Sequence, residues 1–314
     1  MKHYQESIAL GSKSGIVLVT SDSEIDTNAI FSAIWKEIFK FERRFSRFIP
    51  ASELSILNNK AGFKQPISNE MKDILIAAKD MAIQTKGLYN PFILPALQAA
   101  GYSSSRVPNH EKDQVYDYSK RAVAKIEQLE IGDDWARIPY NSALDLGGIG
   151  KGYLLDWLKQ SIPNKIDGYW ISLGGDIALG GNDEDNKPWT VLVEDALNST
   201  HTIGYFTTKG RVGVATSGIT VNKGEKAGKQ WHHIIDPQTN KPANTDVLLA
   251  SIYGESSMRA DVLASCAVIL GADKGMKFLK QHGVKSAVIQ YQSDNHKRYI
   301  KQFGNNILID SKHA

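Results

Sequence analysis

The chain has 314 residues, 42% hydrophobic and 23% charged, with a net charge of +3. That is the make-up of a globular protein long enough to bury a core. It argues against nucleic acid as main partner, because the nearest thing to a basic block, Glu42-Arg43-Arg44, is of mixed sign. The single cysteine, Cys266, rules out an internal disulfide, and no run approaches the ~18 apolar residues of a membrane span. The N-terminus, Met1-Lys-His-Tyr-Gln-Glu6, has neither an apolar signal region nor a cysteine for lipid attachment. The expected location is therefore cytoplasmic, or exported if a leader has been trimmed.

Ser7–Thr20 alternates as a strand does, Ile16–Thr20 most clearly. Asp26 or Thr27 caps a helix whose apolar face is Ile30, Phe31, Ile34, Trp35, Ile38, Phe41 and Phe45. A short helix follows over Ser52–Leu57 with Ser52 as cap, then an amphipathic helix over Asn69–Lys86 stopped by Gly87, and a third over Phe92–Ala100. Tyr102–Lys120 is polar and irregular, a surface insertion. Ser142–Leu146 reads as a strand and Tyr153–Gln160 as a helix. Trp170–Leu173, Trp189–Val193 and Arg211–Ala215 are strand-like, with turns or loops over Gly180–Pro188 and Asn222–Gln230. Helices are expected over Met258–Leu270 and Lys274–His282, and strands over Ala287–Gln290 and Ile307–Ile309. Helices mixed with mostly antiparallel strands predict an α+β fold, without repeats.

Asp145-Leu-Gly-Gly-Ile-Gly-Lys-Gly-Tyr153 is the most informative stretch. Glycines let backbone approach a ligand closely, and the Lys151 cation suits an anion. It is not a Walker A loop, which would need Gly at 145 and Ser or Thr at 152. Nor is it a dinucleotide fingerprint, since Tyr153 stands where the third glycine belongs. The alternative is a plain glycine turn between strand and helix. Asp261 and Ser265 lie four apart on a predicted helix and share a face; both offer hard oxygen donors suited to Mg²⁺, or form a simple polar contact. In Trp231-His-His-Ile-Ile-Asp-Pro237 the adjacent histidines point to opposite faces if the segment is a strand, and HExxH is lacking. Ser172-Leu-Gly-Gly-Asp176 and Ala215-Thr-Ser-Gly218 are glycine-rich turns able to donate hydrogen bonds to phosphate. Gly87-Leu-Tyr-Asn-Pro91 and Phe48 add aromatic surface that packs in a core or stacks on a flat ligand. Cys266 sits in an apolar helical pattern and reads as a core thiol.

The order of these motifs resembles the ApbE family of FAD:protein FMN transferases. The matching elements run from Phe45–Asn58 through Gly87–Pro91, Asp145–Gly152, Ser172–Asp176, Ala215–Gly218 and His233–Pro237 to Ala260–Ser265, so the resemblance covers nearly the whole chain. It implies one ApbE-like (T-fold-like) flavin transferase domain over 1–314, with the polar insertion near 102–120. It implies Mg²⁺-dependent transfer of FMN from FAD to a Ser or Thr hydroxyl of an acceptor flavoprotein, forming a phosphoester and releasing AMP. An FAD pyrophosphatase and a non-catalytic FAD-binding protein are the alternatives. The resemblance assigns the metal to Asp261, Ser265 and the carbonyl of Gly148. It assigns FAD contacts to Leu10, Phe48, Leu88, Tyr89, Asn90, Asp145, Lys151, Ser172, Gly174, Gly175, Asp176, Ser217, Gly218, His233 and Ile235. His233 is the candidate base, with Asp261 the second catalytic residue. The sequence departs from the family pattern at Asn90 (usually Asp), Phe48 (frequently Tyr), Ser265 (usually Thr) and Asn240 (commonly Gly).

Overall fold

A computed structural model describes residues 1–105, 116–293 and 295–310, so most of the polar insertion near 102–120 lies outside the described residues. The chain forms two compact units. One comprises Met1–Phe39, Lys151–Thr220 and Thr245–Ala314; the other comprises Lys40–Gly150 and Val221–Asn244.

The first unit is built on an eight-stranded, wholly antiparallel sheet. Its spatial order is Lys2–Ala9, Ser12–Val19, Gly168–Leu173, Asp176–Gly181, Val212–Gly218, Val247–Gly254, Ser286–Gln292 and Arg298–Phe303. The predicted strand over 7–20 is in fact the middle of a hairpin. Leu10 and Gly11, with φ of 53° and 70°, form its turn. The turn hides in the sequence because Leu takes the left-handed position usually given to Asn or Asp. The strands at Asp176–Gly181, Asn198–Thr207, Val247–Gly254 and Arg298–Phe303 also go beyond the sequence reading. Val247–Gly254 is buried along most of its length, so it lacks the alternation that marks a half-exposed strand.

Period-two alternation gives the sheet two different faces. Val212 and Val214 join Ile177, Leu179, Tyr253 and Val288 in an apolar cluster. That cluster is completed by Val191, Val193, Ile203, Phe206 and Ile307, from a three-stranded sheet of Thr190–Asp195, Asn198–Thr207 and Ile307–Ile309. The intervening residues Gly213, Ala215 and Ser217 therefore face the other way, toward the helix Ser257–Leu270. Ser257 rests on Gly213, where an added Cβ would lie 2.6 Å from Ser257 Cα, and Ser265 Oγ lies 2.9 Å from Ser217 Oγ. The lengths agree: eight helical residues rise about 12 Å, and four strand residues about 13 Å. Asp261 sits midway along this contact.

The helix Gly150–Ser161 crosses the start of the same helix. A Cβ on Gly152 would lie 2.6 Å from Met258 Cα and from the Ser257 carbonyl oxygen, so only glycine permits the approach. One turn further on, the Asp156 carboxylate accepts from Ser257 N (2.8 Å), Met258 N (3.1 Å) and Ser256 Oγ (2.5 Å). It satisfies the open N–H groups of the Ser257–Leu270 helix from a segment a hundred residues away in the chain.

The second unit is mainly helical. Thr27–Phe45 continues into it, followed by Glu53–Asn59 capped by Ser52, Asn69–Gln84 capped by Ser68, and a 3-10 turn at Pro91–Ile93 leading into Leu94–Ala100. Ser142–Leu146, expected as a strand, pairs in no sheet. Asn58 stands in for a neighbouring strand, its Nδ2 donating to Leu144 O and its Oδ1 accepting from Leu144 N (2.9 and 2.7 Å). Asn222–Gln230, expected as loop, forms most of a hairpin, Lys223–Lys226 with Lys229–His232, turning at Ala227 and Gly228 (φ 51° and 74°).

Removing the Asp156 cap tests its weight. Asp156→Ala strips three hydrogen bonds to a charged acceptor and an ion pair with Lys159 (2.8 Å). It is expected to cost roughly 2–3 kcal/mol in urea unfolding, against under about 0.5 kcal/mol for an exposed control such as Lys187→Ala.

Candidate functional site

The glycine loop runs into the helix Gly150–Ser161, and in the first unit Lys151 of that helix reaches across to Asp176. Asp176 is 1% exposed and opens the strand after the Gly174-Gly175 turn, whose φ values of 63° and 98° make a two-residue hairpin of Leu173 and Asp176. Lys151 Nζ donates to Asp176 Oδ2, and Thr216 N donates to Asp176 Oδ1 at 3.3 Å. Gly152 N donates to Asp261 Oδ2 at 3.4 Å. Asp261 is buried, and that burial, reinforced by the Asp176 charge, pushes its carboxyl up to about 7; Lys151 and the Gly152 N–H work in the opposite direction. The Ser265–Ser217 hydroxyl pair completes the group.

Seven of the predicted residues thus belong to one neighbourhood on the helix-facing side: Lys151, Gly174, Gly175, Asp176, Ser217, Asp261 and Ser265. Leu10 lies in the turn beside it, since Gly174 N donates to Lys13 O at 3.2 Å. Gly218 ends the same strand as Ser217. Ser172 differs: it pairs with Ile177 and shares the face of Trp170, so its side chain points away from Asp176. Thr216, not singled out from the sequence, enters through its backbone N–H, which no side-chain motif signals.

In the second unit Asp145 is 8% exposed and tied on every side. Its Oδ2 meets Arg47 Nε at 2.7 Å, its Oδ1 accepts from Gly147 N at 2.7 Å, and its own N donates to Pro91 O at 2.7 Å. The Arg47 guanidinium lies over the Phe48 ring (4.1 Å) and the Tyr102 ring (4.8 Å). Tyr102 stacks with Trp231 at 6.0 Å and meets His233 edge-on at 6.3 Å. Arg47, Tyr102 and Trp231 escaped the sequence reading. Arg47 lay inside a motif read for its aromatics, and Tyr102 opened a stretch read as polar. Tyr89 borders Gly148, where a Cβ would be 3.6 Å from its ring, and Leu88 precedes it in the turn after the helix Asn69–Gln84. Asn90 caps the 3-10 turn, accepting from Phe92 N (3.0 Å) and donating to Ala124 O (2.9 Å). The Ile235 side chain packs in the core with Ala96 and Leu97, and the residue pairs with Pro242 in a two-stranded sheet.

The strand carrying the histidines ends at His232, so His233 lies one residue beyond it. The two rings have different partners. His232 Nε2 contacts Ala243 O at 3.1 Å, and burial lowers its pKa. His233 Nδ1 contacts Asn222 O at 3.3 Å. A carbonyl only accepts, so His233 Nδ1 carries the proton and Nε2 is its basic nitrogen. A groove of ≈ 450 Å³ among Lys72, Ile76, Lys79, Ile131 and Trp135 contains none of these residues.

Among the described residues no cluster of three or more His, Cys, Asp or Glu could hold a metal. The donors of the first unit are instead one buried carboxylate with a raised pKa and two hydroxyls, all hard oxygens. That set fits Mg²⁺, which keeps waters and takes oxygens from substrate phosphates, and does not fit zinc.

The family model described as "ApbE family" matches residues 10–289. An FAD:protein FMN transferase of Vibrio cholerae is 24% identical over 294 residues, 92% of this chain and 88% of that protein. Another from Treponema pallidum is 29% identical over 246 residues, 73% of this chain and 68% of its own length. The crystal structure of the ApbE protein from Thermotoga maritima superposes with a TM-score of 0.81 at 23% identity, covering 99% of this chain and 98% of that one. It bears out the mixed α+β fold.

The Asp261 carboxyl links charge to stability. Its folded pKa, near 7, lies above the ordinary 3.8. The native state therefore holds a proton that the unfolded state has lost, and stability falls as pH rises from about 4 through about 7. In metal-free buffer Asp261→Asn should melt higher than wild type, by a margin that widens from pH 5 to pH 8. Mg²⁺ should raise the Tm of wild type and leave that of the variant unchanged. Thermal melts with and without chelator decide it; a margin independent of pH contradicts the assignment.

Proposed function

The chain belongs to the ApbE family, and from that premise we propose that it transfers FMN from FAD to a Ser or Thr hydroxyl of an acceptor flavoprotein, releasing AMP. The observation that carries this reading is the group Lys151, Asp176, Asp261, Ser217 and Ser265 at the end of the glycine loop. It combines a cation for phosphate with hard oxygen donors for Mg²⁺, and phosphoryl transfer depends on such positioning and charge.

Asp261 and Ser265 would hold the ion. Bound there, Mg²⁺ supplies Lewis-acid stabilisation of charge on the pyrophosphate. Lys151 neutralises a phosphate oxygen as a point charge. Phe48, Tyr102 and Trp231 offer aromatic surface for a flat ring system, within the limit that the Arg47 guanidinium already covers one ring face of Phe48. His233 accepts the proton of the incoming hydroxyl at Nε2, because Nδ1 is committed to the Asn222 carbonyl.

The direct test is incubation with FAD, Mg²⁺ and a candidate acceptor, followed by intact-mass measurement. A gain of one FMN on the acceptor, with an equal release of AMP, is expected. AMP release with no mass gain identifies a pyrophosphatase, and FAD binding with neither product identifies a carrier. Asp261→Ala should abolish transfer, Ser265→Thr should retain it, and Ser265→Val should lose it.

Replacing His233 by Ala should slow transfer by ~10²–10⁴-fold and remove the acidic limb of the pH–rate profile. An unchanged rate and profile would leave the hydroxyl to lose its proton without a base. FAD should also bind more tightly than FMN or riboflavin in fluorescence titrations, since Lys151 and the metal act on the pyrophosphate.

A further inference from the structure

We infer that Asp176 is a positioning residue: it acts by fixing the Lys151 ammonium and makes no contact of its own with FAD. The inference rests on the FAD reading above. Family resemblance groups Asp176 with the FAD contacts, but its surroundings assign it otherwise. The side chain is 1% exposed, and both oxygens have protein partners, Lys151 Nζ on Oδ2 and Thr216 N on Oδ1. Thr216 is itself held, its Oγ1 donating to Ser251 Oγ at 2.8 Å on the next strand. The carboxylate is thus fastened to the sheet on one side and presents its other oxygen to the lysine.

Lys151 is where such help is needed. A lysine head is a point charge on a stem with four rotatable bonds, and placing it costs side-chain entropy. Here the stem is walled by the Gly174 backbone, since a Cβ at that position would lie 3.9 Å from Lys151 Cδ, and the head is fixed by Asp176. The Gly174-Gly175 turn serves both ends at once. It leaves room beside the stem and swings the chain round so that Asp176 begins the next strand facing Lys151. About 29% of the Lys151 side chain remains exposed, so the cation is held without being buried.

A residue that acts only through a partner has no effect once the partner is gone, which a double-mutant cycle measures. The set is Asp176→Asn, Lys151→Met and the double variant. The double variant restores neutrality in near-equal volume, so it stays folded where Lys151→Met alone leaves a buried charge. Thermal melts check this. FAD affinity, by flavin fluorescence, and the kcat and KM of FMN transfer are read on each.

Asp176→Asn is expected to weaken FAD binding on the order of tenfold, and Lys151→Met by as much or more. The double variant should bind no worse than Lys151→Met alone, with the loss appearing in KM for FAD in the same pattern. Losses that multiply in the double variant would show that Asp176 touches FAD or the metal directly and would overturn the inference. So would wild-type affinity in folded Asp176→Asn. If wild type binds FAD and transfers nothing, the transferase reading falls while the cycle on affinity still decides the role of Asp176.

Discussion

One ammonium facing two buried carboxylates is the arrangement around which the first unit is organised. Lys151 reaches Asp176 directly and acts on Asp261 through space, so the group carries an excess of negative charge where water is scarce. Such an excess is unfavourable in a resting protein, and raising the Asp261 pKa to about 7 is how the fold tolerates it. The neighbouring geometry serves this arrangement. Gly152 lets two helices touch backbone to backbone, Asp156 pins the start of the second helix, and the Gly174-Gly175 turn delivers Asp176. Protein stability is given up locally to keep this group together.

Much of this was legible in the residues. The capping serine at 52, the amphipathic stripe after Thr27 and the i, i+4 pairing of Asp261 with Ser265 are local patterns, and local patterns survive folding. What escaped was set by partners distant in the chain. The strand expected at Ser142–Leu146 finds a side chain, Asn58, in place of a neighbouring strand. Val247–Gly254 is covered on both faces and so loses its alternation. The direction of Ser172 depends on its register with Ile177, which no motif reveals. The site followed the same rule. Asp261 and Lys151 stood out by spacing and by the glycine stretch, Asp145 and Asp176 by family resemblance, while Arg47, Tyr102 and the Thr216 N–H entered through tertiary contacts.

The second unit brings together a different chemistry. Arg47, Phe48, Tyr102, Trp231 and His233 form a continuous series of flat groups, anchored by the ion pair from Arg47 to Asp145. Flat rings already in contact lose little freedom when a further ring is added, which suits recognition of an aromatic ligand. Asn90, where the family usually has Asp, spends its amide on a turn and on the Ala124 carbonyl. The charge lost there is matched by a local backbone role.

The central sheet also dictates an order of assembly. Its N-terminal hairpin, Lys2–Val19, pairs onward only with Gly168–Leu173, some hundred and fifty residues later in the chain. During synthesis at about 5–20 residues per second, the edge at Ser12–Val19 waits roughly ten seconds or more for its neighbour. Meanwhile Lys40–Gly150 emerges, the larger part of a second unit that is completed only by Val221–Asn244. Loop closure over that distance is slow, and the waiting edge carries the alternating apolar side chains Ile16 and Leu18. The nascent chain is therefore most exposed to aggregation, and most dependent on chaperones, before its third sheet strand has been made.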